Sequence, residues 1–328
     1  MQNRRSFIAG TTTALCAAAT PLRSFAQPSS KPLRIIVPYP PGGSTDVLAR
    51  LIASKLQGTY AASVIVENKT GAAGRIAMDF VKNSDPNSGT VLINSSSSFS
   101  VYPYVYKKLG YSPLTDFTPV STLCDFEFTI NAGPAVPSEV KTLPELVRWV
   151  KADAPSRGKI AIPAIGTILH FTATRVAQAT GMELSYVPYR GGPPAVADVL
   201  GGHTPLGFMQ VGDVVQHVDG GKLRIFGMSG AQRSPILPNV PTFKEMGFDV
   251  EVAEWFGLLM PAKAPPGEVA QLNAAVRDAL ASAEIKDGFR KMSFKPRGES
   301  PAEFAKLIRS DYEQWGPIVK ATGFTVEE

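Results

Sequence analysis

The chain has 328 residues, 44% of them hydrophobic and 19% charged, with a formal charge of +5. That apolar share supplies a sizeable core, and about 300 residues beyond a leader suffice for two lobes. Arg4, Arg5 and Arg23 fall within the first 26 residues, which hold no acid, so the remainder carries only +2 and no basic cluster; nucleic acid is thereby excluded as a partner.

Asn3-Arg4-Arg5-Ser6-Phe7-Ile8 pairs two arginines before a short apolar stretch that ends in Ser24-Phe25-Ala26. This pattern predicts a cleaved export signal of the twin-arginine type over residues 1–26, a mature start at Gln27 and a periplasmic location. The stretch is too short to span about 30 Å of hydrocarbon. A lipid anchor on Cys16 is disfavoured by the bulky Leu15 before it. Cys124 is then the single thiol of the mature chain, so no internal disulfide is available. Its apolar surroundings predict a small buried residue.

Strand-like and helix-like segments alternate along the chain, the pattern of an α/β fold. Leu33 to Val37 reads as a strand, Pro38 to Gly43 as a turn, and Val47, Leu48, Leu51, Ile52 and Leu56 recur at helical spacing. Ser44 or Thr45 is the expected N-cap. Ser63 to Asn68 is a second strand, followed by Gly71-Ala72-Ala73-Gly74 and a helix through Val81. Gly89 to Asn94 is a third strand. The serine run Ser95, Ser96, Ser97 and Ser98 after it stands at a strand end, where open α/β sheets meet ligands, and reads as a hydroxyl-rich wall.

Phe117 to Ile130 is strand-like and leads into a second block with strands at 160–162, 184–187, 205–209 and 223–228. Val250 to Met260 returns, followed by helices over 269–283 and 301–314. Extended crossings near 120–130 and 250–258 predict two lobes joined by a hinge: residues 27–126 with 252–328, and residues 127–251.

The strand–Gly turn–helix design occurs three times. The copies are Gly42-Gly43-Ser44-Thr45-Asp46, Gly166-Thr167 running to His170, and Tyr189-Arg190-Gly191-Gly192. Such turns aim unpaired N–H groups and a positive helix end at one point, which suits an anion. No lysine follows the first turn and no G-x-G-x-x-G spacing is present, so neither a triphosphate loop nor a dinucleotide fingerprint is expected. Hydrogen bonds to a charged group contribute roughly 1.5–3 kcal/mol each, so several amides can hold a carboxylate without an arginine. Arg190 reads either as a partner for a second acid group or as a surface residue, and Asp198 as part of a solvated helix face. His170, His203 and His217 have no metal-ligand spacing, and no metal or cofactor is expected. Gly227-Met228-Ser229-Gly230-Ala231 approaches a nucleophile elbow, but Ala231 stands where its closing glycine belongs.

Val37 to Asp46 with Ala49-Arg50 resembles the opening motif of the tripartite tricarboxylate transporter substrate-binding proteins, the Bug family. Glu67 to Gly74 resembles their second motif, with Ala73 where glycine is more usual. Gly166 to His170 and Val187 to Ala195 resemble the third and fourth. Gly221 to Arg224, Arg233 and Pro238 to Thr242 with Gly247 fit the closing segment. The resemblance implies a two-lobe flytrap receptor that hands a small carboxylate to membrane transporter subunits and catalyses nothing, acting as a monomer. The carboxylate would be a dicarboxylate, tricarboxylate, acidic amino acid or aromatic acid. By position it places Gly42, Gly43, Ser44, Thr45, Asp46, Gly166, Thr167 and His170 around one carboxylate. Tyr39, Ser95, Ser96, Ser97, Tyr189, Arg190, Gly191 and Asp213 would line the rest. The stretch Phe208 to Asp213 departs from the usual pattern. Two other readings remain at this level: an exported enzyme using Asp46 or His170 as acid–base, and a receptor that signals to a membrane sensor.

Overall fold

The computed structural model describes residues 29–326. The export signal, Cys16 and the start at Gln27 lie outside them. Two mixed sheets organise the chain. The first is built by β1 (Leu33–Val37), β2 (Val64–Asn68), β3 (Thr90–Ser95), β4 (Phe117–Phe126), β10 (Glu254–Pro261) and β11 (Lys295–Pro296). Its order is β11-β4-β10-β3-β1-β2, with β2, β1 and β3 parallel and β10 antiparallel to both of its neighbours. The second sheet holds β5 (Phe128–Ala132), β6 (Lys159–Ile162), β7 (Ser185–Pro188), β8 (Leu206–Gln210) and β9 (Arg224–Met228), in the order β7-β6-β8-β5-β9.

Helices cover the faces of these sheets. The first lobe carries α1 (Ser44–Leu56), α2 (Arg75–Lys82), and the short α3 (Ser97–Ser100) and α4 (Tyr102–Val105). The second carries α5 (Leu143–Lys151), α6 (Ala154–Arg157), α7 (Ile168–Thr180), α8 (Gly192–Leu200) and α9 (Val211–Val214). Returning to the first, the chain forms α10 (Pro266–Ala281), α11 (Ala283–Lys291) and α12 (Pro301–Thr322). Parallel strands linked through helices bury both sheet faces, so Leu33, Ile35, Ile36 and Val37 of β1 and Val91, Leu92 and Ile93 of β3 are almost fully enclosed.

The strand-like run 117–130 is two strands in two sheets, broken at Glu127. Glu127 is 1% exposed and its carboxylate pairs with Lys295 of β11. The return runs from Met228 to Glu254; there the Ser229 hydroxyl donates to the Val252 carbonyl at 2.7 Å and accepts from the Phe128 amide at 3.0 Å. The two crossings are thus stitched side by side. Phe126, Phe128, Phe256 and Phe294 pack around them, Phe126 stacked on Phe256 with centroids 4.2 Å apart and set edge-on to Phe128. Cys124 is fully buried on β4, where burial pushes its thiol well up. Among the described residues no helix is long and apolar enough to cross a membrane.

Candidate functional site

Each of the three Gly turns delivers a helix start to the interface between lobes. At the first, Gly42 adopts φ +83°, a left-handed conformation that a Cβ disfavours. Gly43 follows in extended conformation and is itself the N-cap of α1, without a side-chain cap. The expectation that Ser44 or Thr45 caps this helix is therefore corrected: both sit inside the first turn and are buried. At the second turn, Thr167 is the N-cap of α7, its hydroxyl accepting from the His170 amide at 3.2 Å. At the third, Gly191 (φ +106°) precedes α8, whose first turn contains Pro193 and Pro194, residues with no N–H to satisfy.

A small cavity of about 40 Å³ lies where these starts meet. The first lobe lines it with Tyr39, Gly43, Ser44, Thr45, Ser95 and Ser97, and also with Glu254. The second contributes Thr167, Leu169, Gly191, Gly192, Gln210 and Asp213, with Pro163, Ala164 and Pro193 as apolar wall. Among the described residues, the amides of Gly43, Thr45, Thr167, Leu169 and Gly192 donate to no protein acceptor, and all five residues border this cavity. Helix starts with unpaired amides and a common positive pole form an anion-binding arrangement.

The lobes touch across the cavity. Ser44 N–H donates to Asp213 Oδ1 at 2.8 Å and the Ser44 hydroxyl to Gln210 Oε1 at 2.7 Å. In the other direction, Ile168 N–H donates to the Ser97 hydroxyl at 3.0 Å. A Cβ on Gly191 would stand 2.8 Å from the Pro40 ring, and one on Gly43 3.2 Å from that of Pro193. One amide of the first turn is thus taken by the chain's own carboxylate.

Two buried carboxyls and no basic side chain line the cavity. Burial raises the Asp213 carboxyl above the ordinary range, opposed by hydrogen bonds from Ser44. Burial likewise raises Glu254, opposed by the hydroxyls of Ser97, Ser95 and Ser96 and by the Ser97 amide, which donates to Oε1 at 2.8 Å. The Tyr39 phenol is pushed far up, first by burial and then by the Glu254 charge.

Several sequence-predicted residues stand beside the cavity rather than in it. The Asp46 carboxylate turns away and accepts from Gly42 N–H at 3.0 Å, from Arg50 at 2.9 and 3.0 Å, and from Asn68 at 2.9 Å. It braces the turn, as does Gly42. Ser96 reaches the site only through Glu254. Gly166 serves the backbone, and its amide donates to His170 Nδ1 at 3.3 Å. The His170 ring is enclosed by Phe171, Tyr186 and Phe324, so it caps and packs. Tyr189 and Arg190 line a neighbouring cavity of about 240 Å³ that shares Tyr39 and Gly191 with the first. The Tyr189 hydroxyl is tied to Asp198 and Thr204, and Asp198 remains partly exposed on α8. Ala72 and Ala73, in the glycine-type turn of the second motif, hold φ +45° and +51°.

Glu254 and Gln210 escape a sequence reading of the site. The available signal for Glu254 is a lone acid opening the apolar strand Trp255 to Met260; such a charge on a buried strand demands a partner. Gln210 marks the polar end of an otherwise apolar β8. Among the described residues no cluster of His, Cys, Asp and Glu has metal-binding geometry.

A family model described as the tripartite tricarboxylate transporter family receptor matches residues 48–324. Protein BugT of Bordetella pertussis (strain Tohama I) is 31% identical over 307 residues, covering 93% of each chain. The solved periplasmic binding protein BugD superposes with a TM-score of 0.84 at 29% identity, covering 90% of this chain and 99% of that one. Rpa4515 of R. palustris, solved with adipate, gives 0.84 at 28%, covering 89% and 97%. This is a family of solute-binding receptors, and the two sheets, the paired crossings and the shared cavity are its two-lobe periplasmic-binding-protein fold. The chain belongs to the tripartite tricarboxylate transporter family of receptors.

Proposed function

We propose that this receptor captures a small carboxylate in the periplasm and presents it, as a monomer, to the membrane subunits of a tripartite tricarboxylate-type transporter. The observation that carries the reading is the group of five unpaired amides, drawn from three helix starts in both lobes, around one cavity. Several charge-assisted hydrogen bonds of roughly 1.5–3 kcal/mol each reach the scale of the roughly 8 kcal/mol of a micromolar complex, less the cost of association. The adipate in Rpa4515 supports the ligand class. The paired arginines and apolar stretch at the N-terminus support export.

In this reading residues 27–126 with 252–328 form one rigid lobe and residues 127–251 the other. They close by bending at Glu127 and in the return segment before Glu254. Asp46 and His170, which a catalytic reading would need, are engaged in bracing and packing. Native mass spectrometry of the purified protein identifies any acid carried from the host. Calorimetric titration with di- and tricarboxylates, acidic amino acids and aromatic acids then gives its affinity. Binding of at least one of them without chemical change is expected; no heat from any, and no co-purified acid, refutes the proposal.

A further inference from the structure

We infer that the ligand of this cavity is an amino acid, whose ammonium group faces Asp213 and Glu254 while its carboxylate faces the free amides. The inference rests on the carboxylate reading above and narrows it. Asp213 is 9% exposed and Glu254 4%; they approach the cavity from opposite lobes, and neither has an ion-pair partner among the described residues. Glu254 is satisfied by the serine wall. Asp213 has one oxygen on Ser44 N–H, and its other oxygen stands so close to Gly192 that a Cβ there would meet it at 2.3 Å.

A purely anionic guest would enter between two buried carboxyls with no cation to offset them, and like charges in a site of low polarity repel strongly. An ammonium group reverses that sign. Buried carboxylates are retained where a positive partner completes them. The polarity of the site is laid out for such a guest: acceptors at Asp213 and Glu254, donors at the amides of Thr167, Leu169 and Gly192. A further observation points to a bound molecule. Thr45 is 3% exposed and borders the cavity, yet its hydroxyl has no protein partner among the described residues.

The test is calorimetry on the ligand-stripped mature protein with pairs that differ only in the amine: L-aspartate and succinate, L-glutamate and glutarate, L-alanine and propanoate. Cadaverine serves as an amine without an acid. In at least one pair the amino member is expected to bind tenfold or more tightly than its partner. Asp213→Asn and Glu254→Gln should each shrink that preference at least tenfold, with thermal melts confirming that both variants fold. Des-amino acids binding as tightly as their amino partners in every pair overturns the inference while leaving the carboxylate reading intact. Cadaverine binding alone, with no acid bound, overturns the carboxylate reading and the amino-acid assignment together. A preference unchanged in both folded variants removes Asp213 and Glu254 from the recognition and refutes the inference.

Discussion

Ser97 of the first lobe and Ile168 of the second are joined across the cleft, the Ser97 hydroxyl accepting the leading amide of α7 at 3.0 Å. Asp213 of the second lobe does the same for Ser44, the leading amide of α1, at 2.8 Å. Each lobe therefore caps a helix of the other. Both helix starts lack a side-chain cap for that first amide within their own lobe, so opening the cleft transfers those amides to water. These two bonds favour the closed arrangement without contributing to the folding of either lobe alone.

Ser97→Ala removes one of them. A neutral hydrogen bond of this kind contributes about 0.5–1.5 kcal/mol, so the affinity for any ligand that requires closure should fall roughly two- to tenfold. The Ser97 amide still donates to Glu254 in the variant, but the hydroxyl that also supports that carboxyl is lost, so the melting temperature of the ligand-free protein should fall slightly. Calorimetry together with a thermal melt checks both halves.

Gly43→Val acts on the same equilibrium by sterics. Gly43 has ordinary backbone angles, φ −76° and ψ +166°, so a side chain brings no local strain. Its Cβ would meet Pro193 Cδ of the opposite lobe at 3.2 Å, and a β-branched residue adds two methyl groups beyond that. Closure should be blocked and binding lost by a hundredfold or more, with the denaturation midpoint close to that of the parent. Small-angle scattering should show the variant staying open when ligand is added; a compact, tightly binding variant would contradict this account.

Asp46 governs the shape of the first turn. Burial acts to raise its carboxyl, but hydrogen bonds from Arg50, from the Gly42 amide and from Asn68 outweigh burial and hold it below the usual range. Asp46→Ala leaves the Gly42 amide without its acceptor and the Asn68 amide group with the Tyr39 carbonyl alone. A loss of about 2–3 kcal/mol in urea unfolding is expected, from the desolvation cost of groups left unpaired. Because the folded carboxyl titrates below its unfolded value, the part of this stability that is pH-dependent is complete above about pH 4 and is lost on acidification below it.

How much of this was legible in the chain differs between turns and partners. The turns are spelled locally: Pro40-Pro41-Gly42-Gly43 and Gly191-Gly192-Pro193-Pro194 carry the conformations their glycines and prolines require. The capping pair Thr142 and Glu145 equally announces α5, although the apolar spacing there is short and easily passed over. What the pattern of residues conceals is the partner brought from far along the chain. Asp213 lies 169 positions from Ser44, and Glu254 157 from Ser97; only the sheet order places them together. The break at Glu127 is hidden for another reason. The residues on both sides are apolar and buried in whichever sheet they enter, so one continuous run describes two strands.

His170 supplies a pH signature. Burial among aromatic rings lowers its ring from the ordinary 6.5 to about 4. Above about pH 6.5 the ring is neutral whether the chain is folded or not. Between pH 6.5 and 4 the unfolded chain takes up a proton that the folded one refuses, so stability falls as the solution is acidified, by up to about 3 kcal/mol. His170→Asn keeps a hydrogen-bond acceptor near the Gly166 amide and removes this titration. Plots of unfolding free energy against pH for the two proteins should diverge across that window, the variant being flatter by about one proton.

The crossing at Glu127 is open to a coupling experiment. A Cβ on Gly230 would meet the Glu127 carboxyl at 2.2–2.5 Å, and that carboxyl is held by Lys295 with its second oxygen unpartnered among the described residues. Gly230→Ala must push the carboxyl off its cation, at a cost of about 2–3 kcal/mol, the scale of a buried charge losing its partner where that partner is half in water. Glu127→Ala alone leaves a cavity and frees Lys295, and should cost a similar amount. In the double variant the added methyl occupies space the carboxyl has vacated, so the two losses should not add. A double-mutant cycle by urea unfolding should return a favourable coupling of about 1–2 kcal/mol. Strict additivity would mean that Gly230 and Glu127 do not share the volume at the crossing.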